Sequence, residues 1–315
     1  MNAKRFVVTA LLTVMVFGNL PRSAYAWNKP GHMVIATIAY RELKRTGNQA
    51  VIDKVVASLK NHPDFGRLFG PKISNVSPDD PDLYLFMLGA RWSDDIRKKS
   101  PLDDPPAHFI DNPFVPPGLT GVATVPPAVD NIVSKFNTQI DIIKTSSDAA
   151  EDAKALTWLL HLAGDSHQPL HAVTMFTHEF VLPDGDRGGN EVFVKVRADL
   201  HTINLHAFWD GLILGRDQFQ SVRDRGLGLI GRADMARNTF PQLSSTAVEQ
   251  WVDESFELAK TVAYMNGTIQ GSGDKEDGDV LPDDYPSTCK SVAERQVMLA
   301  GYRLADLLKA LAPSL

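Results

Sequence analysis

The segment spanning residues 149–164 places the strongest constraint on the fold. Its apolar side chains recur at helical spacing and form one stripe, made up of Leu156, Leu159, Leu160 and Ala163. His161 and Asp165 are four residues apart, a spacing that puts both on one face of a helix. Pro169 should end this helix, and His171 follows just beyond the break. The stretch is therefore dense in metal-ligand side chains on an apolar background.

A second pair, His206 and Asp210, has the same spacing. One such pair is weak evidence, because surface helices produce it by chance. Two pairs on apolar segments, in a chain with nine histidines, indicate a functional site rather than a chance pattern. The pairs predict metal binding, since imidazoles and carboxylates on one helix face can hold one ion or two neighbouring ions.

The remaining pattern is mostly helical. Helices are predicted over residues 31–43, 49–59, 81–92, 131–143, 149–164, 247–265 and 291–311. Residues 191–196 alternate and predict a strand, with a possible hairpin partner at 200–205. Proline-rich residues 100–127 and acidic, glycine-rich residues 266–286 predict loops. The pattern indicates a mainly α protein, a single helical domain over residues 27–315 with a small β-hairpin insertion.

The first 26 residues have the layout of a signal peptide. Lys4 and Arg5 precede an apolar run over residues 6–17, and Ala24-Tyr25-Ala26 forms a small-x-small cleavage site. The apolar run is too short to span a bilayer, and no later run approaches that length, so we expect no membrane insertion. We predict cleavage between Ala26 and Trp27 and a secreted or periplasmic protein. The new α-amino group on Trp27 would lie five residues before His32, and both groups are good zinc ligands.

Charge and cysteine content restrict the function further. Removing residues 1–26 takes away three basic residues and no acidic ones, so the formal net charge falls from −6 to −9. That charge argues against a basic groove for a polyanion unless bound divalent cations reverse it locally. Cys289 is the only cysteine, so no internal disulfide can form. Secretion without disulfides fits a bacterial periplasm or medium better than a eukaryotic route.

The chain resembles the secreted trinuclear-zinc, single-strand-specific nucleases of the S-one/P-one type, as a bacterial member. Six pieces match in order and spacing: Trp27-Asn-Lys-Pro-Gly-His32, Trp92-Ser-Asp94-Asp-Ile-Arg97, His108-Phe-Ile-Asp111, the stretch from His161 to His171, Gly188-Gly-Asn190, and His206-Ala-Phe-Trp-Asp210. They span nearly all of the chain after residue 26. The resemblance implies the helical fold shared by single-strand nucleases and zinc-dependent phospholipase C.

The resemblance also implies a scheme for three zinc ions. The first ion would take Asp94, His108, His161 and Asp165, the second would take His171, His206 and Asp210, and the third would take the Trp27 amine and carbonyl, His32 and the other oxygen of Asp165. Asp165 would thus bridge two ions. Asp95 stays open as an alternative to Asp94. Open coordination positions suit catalytic zinc better than structural zinc.

Roles for the remaining matched residues follow from the resemblance. Asp94, Arg97 and Asp165 would be catalytic, with the planar fork of Arg97 suited to two phosphoryl oxygens. Substrate would be bound by Phe109, Asp111 and Asn190. An extended backbone would point Phe109 and Asp111 to the same side, where Phe109 stacks on an unpaired base and Asp111 accepts hydrogen bonds from it.

The expected function is a zinc-dependent endonuclease. It would hydrolyse single-stranded DNA and RNA to 5′-phosphate products, act on 3′-nucleotides as a 3′-nucleotidase, and work as a monomer. Two other functions stay open: a zinc-dependent phospholipase C, and a non-catalytic periplasmic metal-binding protein. The phospholipase family places its first histidine farther from the terminal tryptophan and ends its last helical pair in Glu, whereas this chain has Asp210.

Overall fold

The computed structural model describes residues 27–76 and 80–315, and most of these residues are helical. The α-helices in this part of the chain are α1 (Lys29–Arg45), α2 (Gln49–Lys60), α3 (Gly70–Ile73), α4 (Pro81–Ile96), α5 (Ile132–Thr145), α6 (Ala149–Asp165), α7 (Leu205–Asp210), α8 (Phe219–Ile230), α9 (Val248–Leu258) and α10 (Tyr285–Leu311). The short strands are β1 (Pro113–Phe114), β2 (Thr174–Met175), β3 (Phe193–Lys195), β4 (Ile203–Asn204) and β5 (Asp279–Val280). The predicted mainly α class is confirmed.

The predicted signal peptide and the residues before its cleavage site lie outside the described residues. Among the helices that the structure describes, none is both long enough and apolar enough to cross a membrane. The start of the domain at residue 27 stays a prediction.

Helices α1 and α6 are the two elements around which the others pack. The side chain of Asn28 caps α1 by accepting from the backbone N–H of Gly31, and Pro30 follows at the first turn. Helix α1 packs against α4, α8 and α10, whereas α6 packs against α2, α4 and α5. Asp148 caps α6 by accepting from the N–H groups of Ala150 and Glu151. Both helices are buried along most of their length, which fixes the positions of the ligand residues on them.

The β structure is small but ties the loops of the site together. Strands β3 and β4 form the predicted antiparallel hairpin, with Val194 opposite Ile203. Strand β5 adds to β3 in parallel, so the predicted loop 266–286 contains a strand. Strands β1 and β2 pair in parallel, which places a strand in the predicted loop 100–127 as well. Two-residue strands are too short to show the alternation by which strands are recognised.

One helix was not predicted, and two predicted helices differ clearly in extent from those observed. Helix α8 was missed because Gly226 and Gly228 weaken the helical pattern. A Cβ on Gly226 would lie 2.7 Å from Thr37 Cγ2 on α1, so the glycine permits the close approach of α8 and α1. The helix predicted over 247–265 ends at Leu258 and continues as a π-helical turn. Helix α10 begins at Tyr285, six residues before its predicted start.

Candidate metal centre and substrate cleft

The C-terminal turn of α6 carries the first group of candidate ligands. His161 and Asp165 are both fully buried. Helix α6 ends at Asp165, before Pro169 as predicted, and Pro169 opens a short 3₁₀ turn. Asp165 Oδ2 lies 2.9 Å from His108 Nδ1 and 3.0 Å from His161 Nε2. Asp165 Oδ1 lies 3.3 Å from His32 Nε2. One carboxylate therefore faces three imidazoles through its two oxygens.

A second group lies beside the first and consists of His171, His206 and Asp210. Helix α7 carries His206 and Asp210 on one face, and their Nε2 and Oδ2 atoms are 3.6 Å apart. The two imidazoles approach through Nε2 atoms 3.1 Å apart. His171 Nδ1 is 3.8 Å from Asp165 Oδ1, which connects the two groups. Gln168 donates to Asp210 Oδ1 at 2.8 Å and orients that carboxylate.

Backbone carbonyls fix the tautomers of three of these histidines. The Nδ1 atoms of His161, His171 and His206 lie 2.9, 2.6 and 2.7 Å from the carbonyl oxygens of Ala90, His108 and Gly188. A carbonyl only accepts, so each Nδ1 carries the proton and each neutral ring keeps its lone pair on Nε2. The Nε2 lone pairs of His171 and His206 face each other across 3.1 Å, and they repel unless a cation lies between them. The geometry fits a metal ligand set.

Burial and charge set the protonation states at the centre. Burial lowers the pKa of His108 to about 4, so its ring is neutral near pH 7. Burial disfavours the Asp165 carboxylate, but His161 and His171 hold its pKa well below the usual range. Burial raises the pKa of Asp210 well above the usual range. A carboxyl in that position is ionised only where a cation offsets its lost hydration.

Asp94 adds a third carboxylate at the end of α4. Its side chain is fully buried; Oδ1 lies 3.3 Å from Arg97 Nη2, and neither oxygen accepts a hydrogen bond from the described residues. Buried carboxylate oxygens without hydrogen bonds are costly, and this is the behaviour expected of a metal ligand. Asp95 is committed elsewhere, since it pairs with Lys29 at 2.6 Å and Arg91 at 2.9 Å. The structure therefore favours Asp94 over the alternative that the sequence left open.

Trp27 and His32 approach the centre from the start of α1. Trp27 is fully buried, and the N–H of the next residue, Asn28, donates to the carbonyl of Asp210 at 3.3 Å. The His32 ring stacks on His161 with ring centres 3.8 Å apart. Gly164 leaves the room for this ring, because a Cβ there would lie 2.7 Å from His32 Nδ1. The two candidate groups from α1 thus lie beside those from α6 and α7.

A cavity of about 650 Å³ opens over this centre. His108, His171 and His206 form part of its floor. Its walls include all four residues predicted to contact substrate: Arg97, Phe109, Asp111 and Asn190. The backbone at Phe109 is extended, as the prediction for Phe109 and Asp111 required. The β1–β2 pairing holds this segment against the His171 turn, where Ile110 N–H donates to the His171 carbonyl at 2.8 Å.

The polar walls of the cavity carry distinct charges. Burial raises the pKa of Asp111 to about 6, with nearby Arg187 opposing the shift and Asp184 adding to it. Arg97 Nη2 lies 3.3 Å from Asp94 Oδ1, so a cation stands between the cavity and the buried carboxylate. The amide of Asn190 donates to the Arg187 carbonyl at 2.8 Å, which uses one of its two N–H bonds.

Sequence reasoning missed Asp186, which organises the Gly188-Gly189 turn. Its buried carboxylate accepts from the N–H groups of Met175, Gly188 and Gly189 at 2.7 to 3.1 Å, and from the hydroxyl of Tyr264. Gly188 has a φ of +62°, and a Cβ there would lie 2.4 Å from a backbone oxygen. The carbonyl of Gly188 is the one that orients His206. The Asp-x-Gly-Gly pattern, an acidic residue followed by two backbone donors, was the available signal.

Two other buried histidines, His167 and His62, lie outside both groups of candidate ligands. His167 is buried, with Nδ1 2.7 Å from the Ala163 carbonyl and Nε2 accepting from Arg303 Nη1 at 2.9 Å. Both of its nitrogens are used, so it supports the turn after Asp165 without ligating. His62 is also buried, in contact with the ring of Trp92, and is not the surface residue that its loop position suggests.

The fold and the site define a class: a mainly α-helical protein with two buried histidine–aspartate groups that could hold metal ions beneath an open cleft. The S1/P1 nuclease family matches residues 27–313, and the chain belongs to that family. It is similar to Endonuclease 4 of Arabidopsis thaliana, with 26% identity over 94% of this chain and 92% of the relative. It is also similar to Nuclease P1 of Penicillium citrinum, with 24% identity over 71% of this chain and 79% of the relative.

Nuclease S1 of Aspergillus oryzae matches with 27% identity over 61% of this chain and 55% of the relative. Family membership makes the chain a nuclease, a hydrolase of phosphodiester bonds that acts on nucleic acid. Of the three functions that the sequence left open, the comparisons favour the nuclease.

Proposed function

We propose that this chain is a zinc-dependent endonuclease that cleaves single-stranded DNA and RNA to 5′-phosphate products and also acts as a 3′-nucleotidase. One observation carries the proposal: a single cavity has metal-ligand histidines on its floor and, on its walls, an aromatic ring and polar groups suited to a nucleotide. Export after cleavage between Ala26 and Trp27, and a monomeric state, belong to the same proposal.

The donor set fits zinc. The first ion would be held by Asp94, His108, His161 and Asp165, the second by His171, His206 and Asp210, and the third by the Trp27 amine and carbonyl, His32 and Asp165. Support comes from two groups of side chains: His32, His161 and Asp165, and His171, His206 and Asp210. Within each group the three ligand atoms lie within 4.8 Å of one another. The buried oxygens of Asp94, which accept no hydrogen bond from the described residues, add to this support. Bound zinc supplies Lewis acidity and an activated water for attack at phosphorus.

Arg97 is the residue placed to orient the reacting phosphate. Its side chain is only 10% exposed, contacts Asp94 and lines the cavity. A partly buried guanidinium can donate two parallel hydrogen bonds to phosphoryl oxygens, and it offsets charge that grows on them. Asn190 has a second N–H bond available for the same phosphate.

Phe109 and Asp111 supply a base subsite next to His108. Stacking on Phe109 tolerates any base, because every base has a π-face. The base must leave a duplex to reach that ring, so the arrangement favours single strands. None of these contacts reads the 2′-hydroxyl, which supports action on both DNA and RNA. A nucleoside held by its base with its 3′-phosphate over the centre would also be the minimal substrate, which supports the proposed 3′-nucleotidase activity.

Metal analysis combined with a substrate panel tests the proposal. Purified secreted protein should begin at Trp27, contain about three zinc ions per chain, and hydrolyse single-stranded DNA, RNA and 3′-AMP but not a phosphocholine ester. Hydrolysis of the ester alone would move the assignment to a phospholipase. Full activity after complete chelation would end the metal-dependent mechanism.

A further inference from the structure

The cavity extends beyond what the reacting phosphate and one base need, and Arg187 lies in that extension. The metal-ligand histidines on the floor are buried, and Phe109 and Asp111 on the wall are half-buried. Arg187 lines the same cavity, but its side chain is 43% exposed. The order of depth is therefore centre, base subsite, then Arg187 at the solvent mouth.

The backbone of Arg187 is fixed although its side chain is exposed. Its N–H lies 3.1 Å from Thr174 Oγ1, and its carbonyl accepts from the N–H and the side-chain amide of Asn190. Its φ of +56° is in the left-handed region, which is uncommon for a residue other than glycine. A cation is thus anchored at the mouth on a rigid turn.

The ion pair that Arg187 makes is long and exposed, so its guanidinium can exchange that partner for another anion. It is paired with Glu191 at 3.5 Å, and both side chains are more than 40% exposed. Exposed pairs of this kind contribute little and exchange readily with another anion. Arg187 and Asp111 line the same cavity, and the guanidinium opposes the rise in the pKa of that carboxyl, so the two groups lie near each other in the cleft.

We propose that the Arg187 guanidinium binds a non-scissile phosphate of the substrate, the one on the 5′ side of the nucleotide whose base lies between Phe109 and Asp111. This proposal rests on the proposed function. With the 3′-phosphate over the buried centre, the 5′ end of the same nucleotide is directed toward the mouth, where Arg187 lies. Arg187 then makes a nucleic acid strand a better substrate than a 3′-mononucleotide.

Two substrates that differ by one phosphate test this assignment. Adenosine 3′-phosphate has only the scissile phosphate, whereas adenosine 3′,5′-bisphosphate also has the 5′ one. Arg187→Ala and Arg187→Gln should raise KM for the bisphosphate about fivefold and leave kcat and the KM for the monophosphate unchanged. With a single-stranded oligonucleotide, the slope of log KM against log salt concentration should fall by about one, the value for one lost phosphate contact. Arg187→Lys should restore part of the loss.

Arg197→Ala is the matched control. Arg197 is an exposed arginine in an ion pair with Asp199 at 3.0 Å, and it is not among the residues lining the cavity. Its loss should change neither KM. Equal loss on both substrates with Arg187→Ala would mean that Arg187 acts on the reacting phosphate or on the fold of the turn, and would overturn the proposal.

Unchanged kinetics on both substrates would also overturn it, as would a selective loss in Lys98→Ala but not in Arg187→Ala. Lys98 lines the same cavity and is the competing cation. The two levels of inference fail separately. Wild-type protein that contains its metal and hydrolyses neither substrate would refute the proposed function, and this proposal with it. Wild-type hydrolysis that Arg187→Ala leaves unchanged would refute only the role of Arg187.

Discussion

Replacing Gly164 by alanine tests the placement of His32 beside the metal centre. The new Cβ would lie 2.7 Å from His32 Nδ1 and 2.9 Å from His32 Cε1. Unstrained contacts of this kind are about 3.5 Å long, so the ring must move by about 0.8 Å or the backbone of α6 must give way. Metal sites tolerate deviations of about 0.2 Å in ligand distance. We therefore expect Gly164→Ala to lose about one zinc ion per chain and most of the activity.

Two opposing effects set the stability of this variant. Alanine is favoured over glycine in a helix interior by about 0.8–1 kcal/mol. Overpacking of a buried site costs about 1–3 kcal/mol. The metal-free chain should therefore lose at most about 2 kcal/mol, too little to abolish folding of a domain of this size. Loss of metal and activity without loss of helical structure is the expected signature.

Gly228→Ala is the matched control, because Gly228 is an exposed helical glycine with open space where a Cβ would be added. It should raise stability by up to about 1 kcal/mol and leave zinc content and activity unchanged. The assay combines zinc per chain, turnover of single-stranded DNA, and thermal unfolding with and without chelator. A Gly164→Ala protein with full zinc content and normal turnover would refute the position of His32 at the centre.

Three further predictions concern the centre and the base subsite. Asp165→Asn should abolish turnover of single-stranded DNA, since a neutral amide replaces the carboxylate that faces His32, His108 and His161; near-normal turnover would contradict a bridging role. Phe109→Ala should raise KM for 3′-AMP by a factor equivalent to about 1–3 kcal/mol with similar zinc content, and an unchanged KM would exclude stacking. Burial raises the pKa of Asp111 to about 6, so its carboxylate is charged above that pH and accepts from base amino groups, and it is protonated below. The measurement compares kcat/KM for 3′-AMP with kcat/KM for its analogue without the 6-amino group. In the wild type the preference for 3′-AMP should fall as the pH drops through about 6. In Asp111→Asn the preference should not change with pH.

Sequence spacing predicted which candidate ligands are neighbours better than it predicted the surroundings of the site, and there is a physical reason. Two polar pairs lie at helical spacing on apolar helices: His161 with Asp165, and His206 with Asp210. Burying ionisable side chains is costly unless a counter-charge or a metal ion compensates for it, so such pairs indicate a site. Spacing along one helix therefore reveals which side chains are neighbours. It does not reveal that His32 stacks on His161 from another helix, which only tertiary packing determines.

The elements that were missed depend on contacts distant in the sequence. Gly226 weakens the local helical signal of α8, but its missing side chain is what allows α8 to contact Thr37. Strand β5 has two residues and exists because β3 offers it an edge. Asp186 has no helical or strand pattern around it, and beyond its own Gly-Gly turn it is held by Met175 and by Tyr264, 78 residues away. In each case tertiary structure decided the outcome where local propensity was neutral or adverse.

The division of the site between helices and loops has a consequence for how substitutions will act. The candidate ligands lie largely on α1, α4, α6 and α7, which are fixed by burial, so their geometry is set by the core. The residues proposed to contact the nucleotide, Phe109, Asp111, Arg187 and Asn190, lie on connections between elements and line the cavity. Substitutions on the connections should change KM and base preference while zinc content stays constant. Substitutions on the helices should change zinc content and kcat together. A ligand that moves by a fraction of an ångström no longer binds the metal, whereas a shift of that size does not unfold the protein.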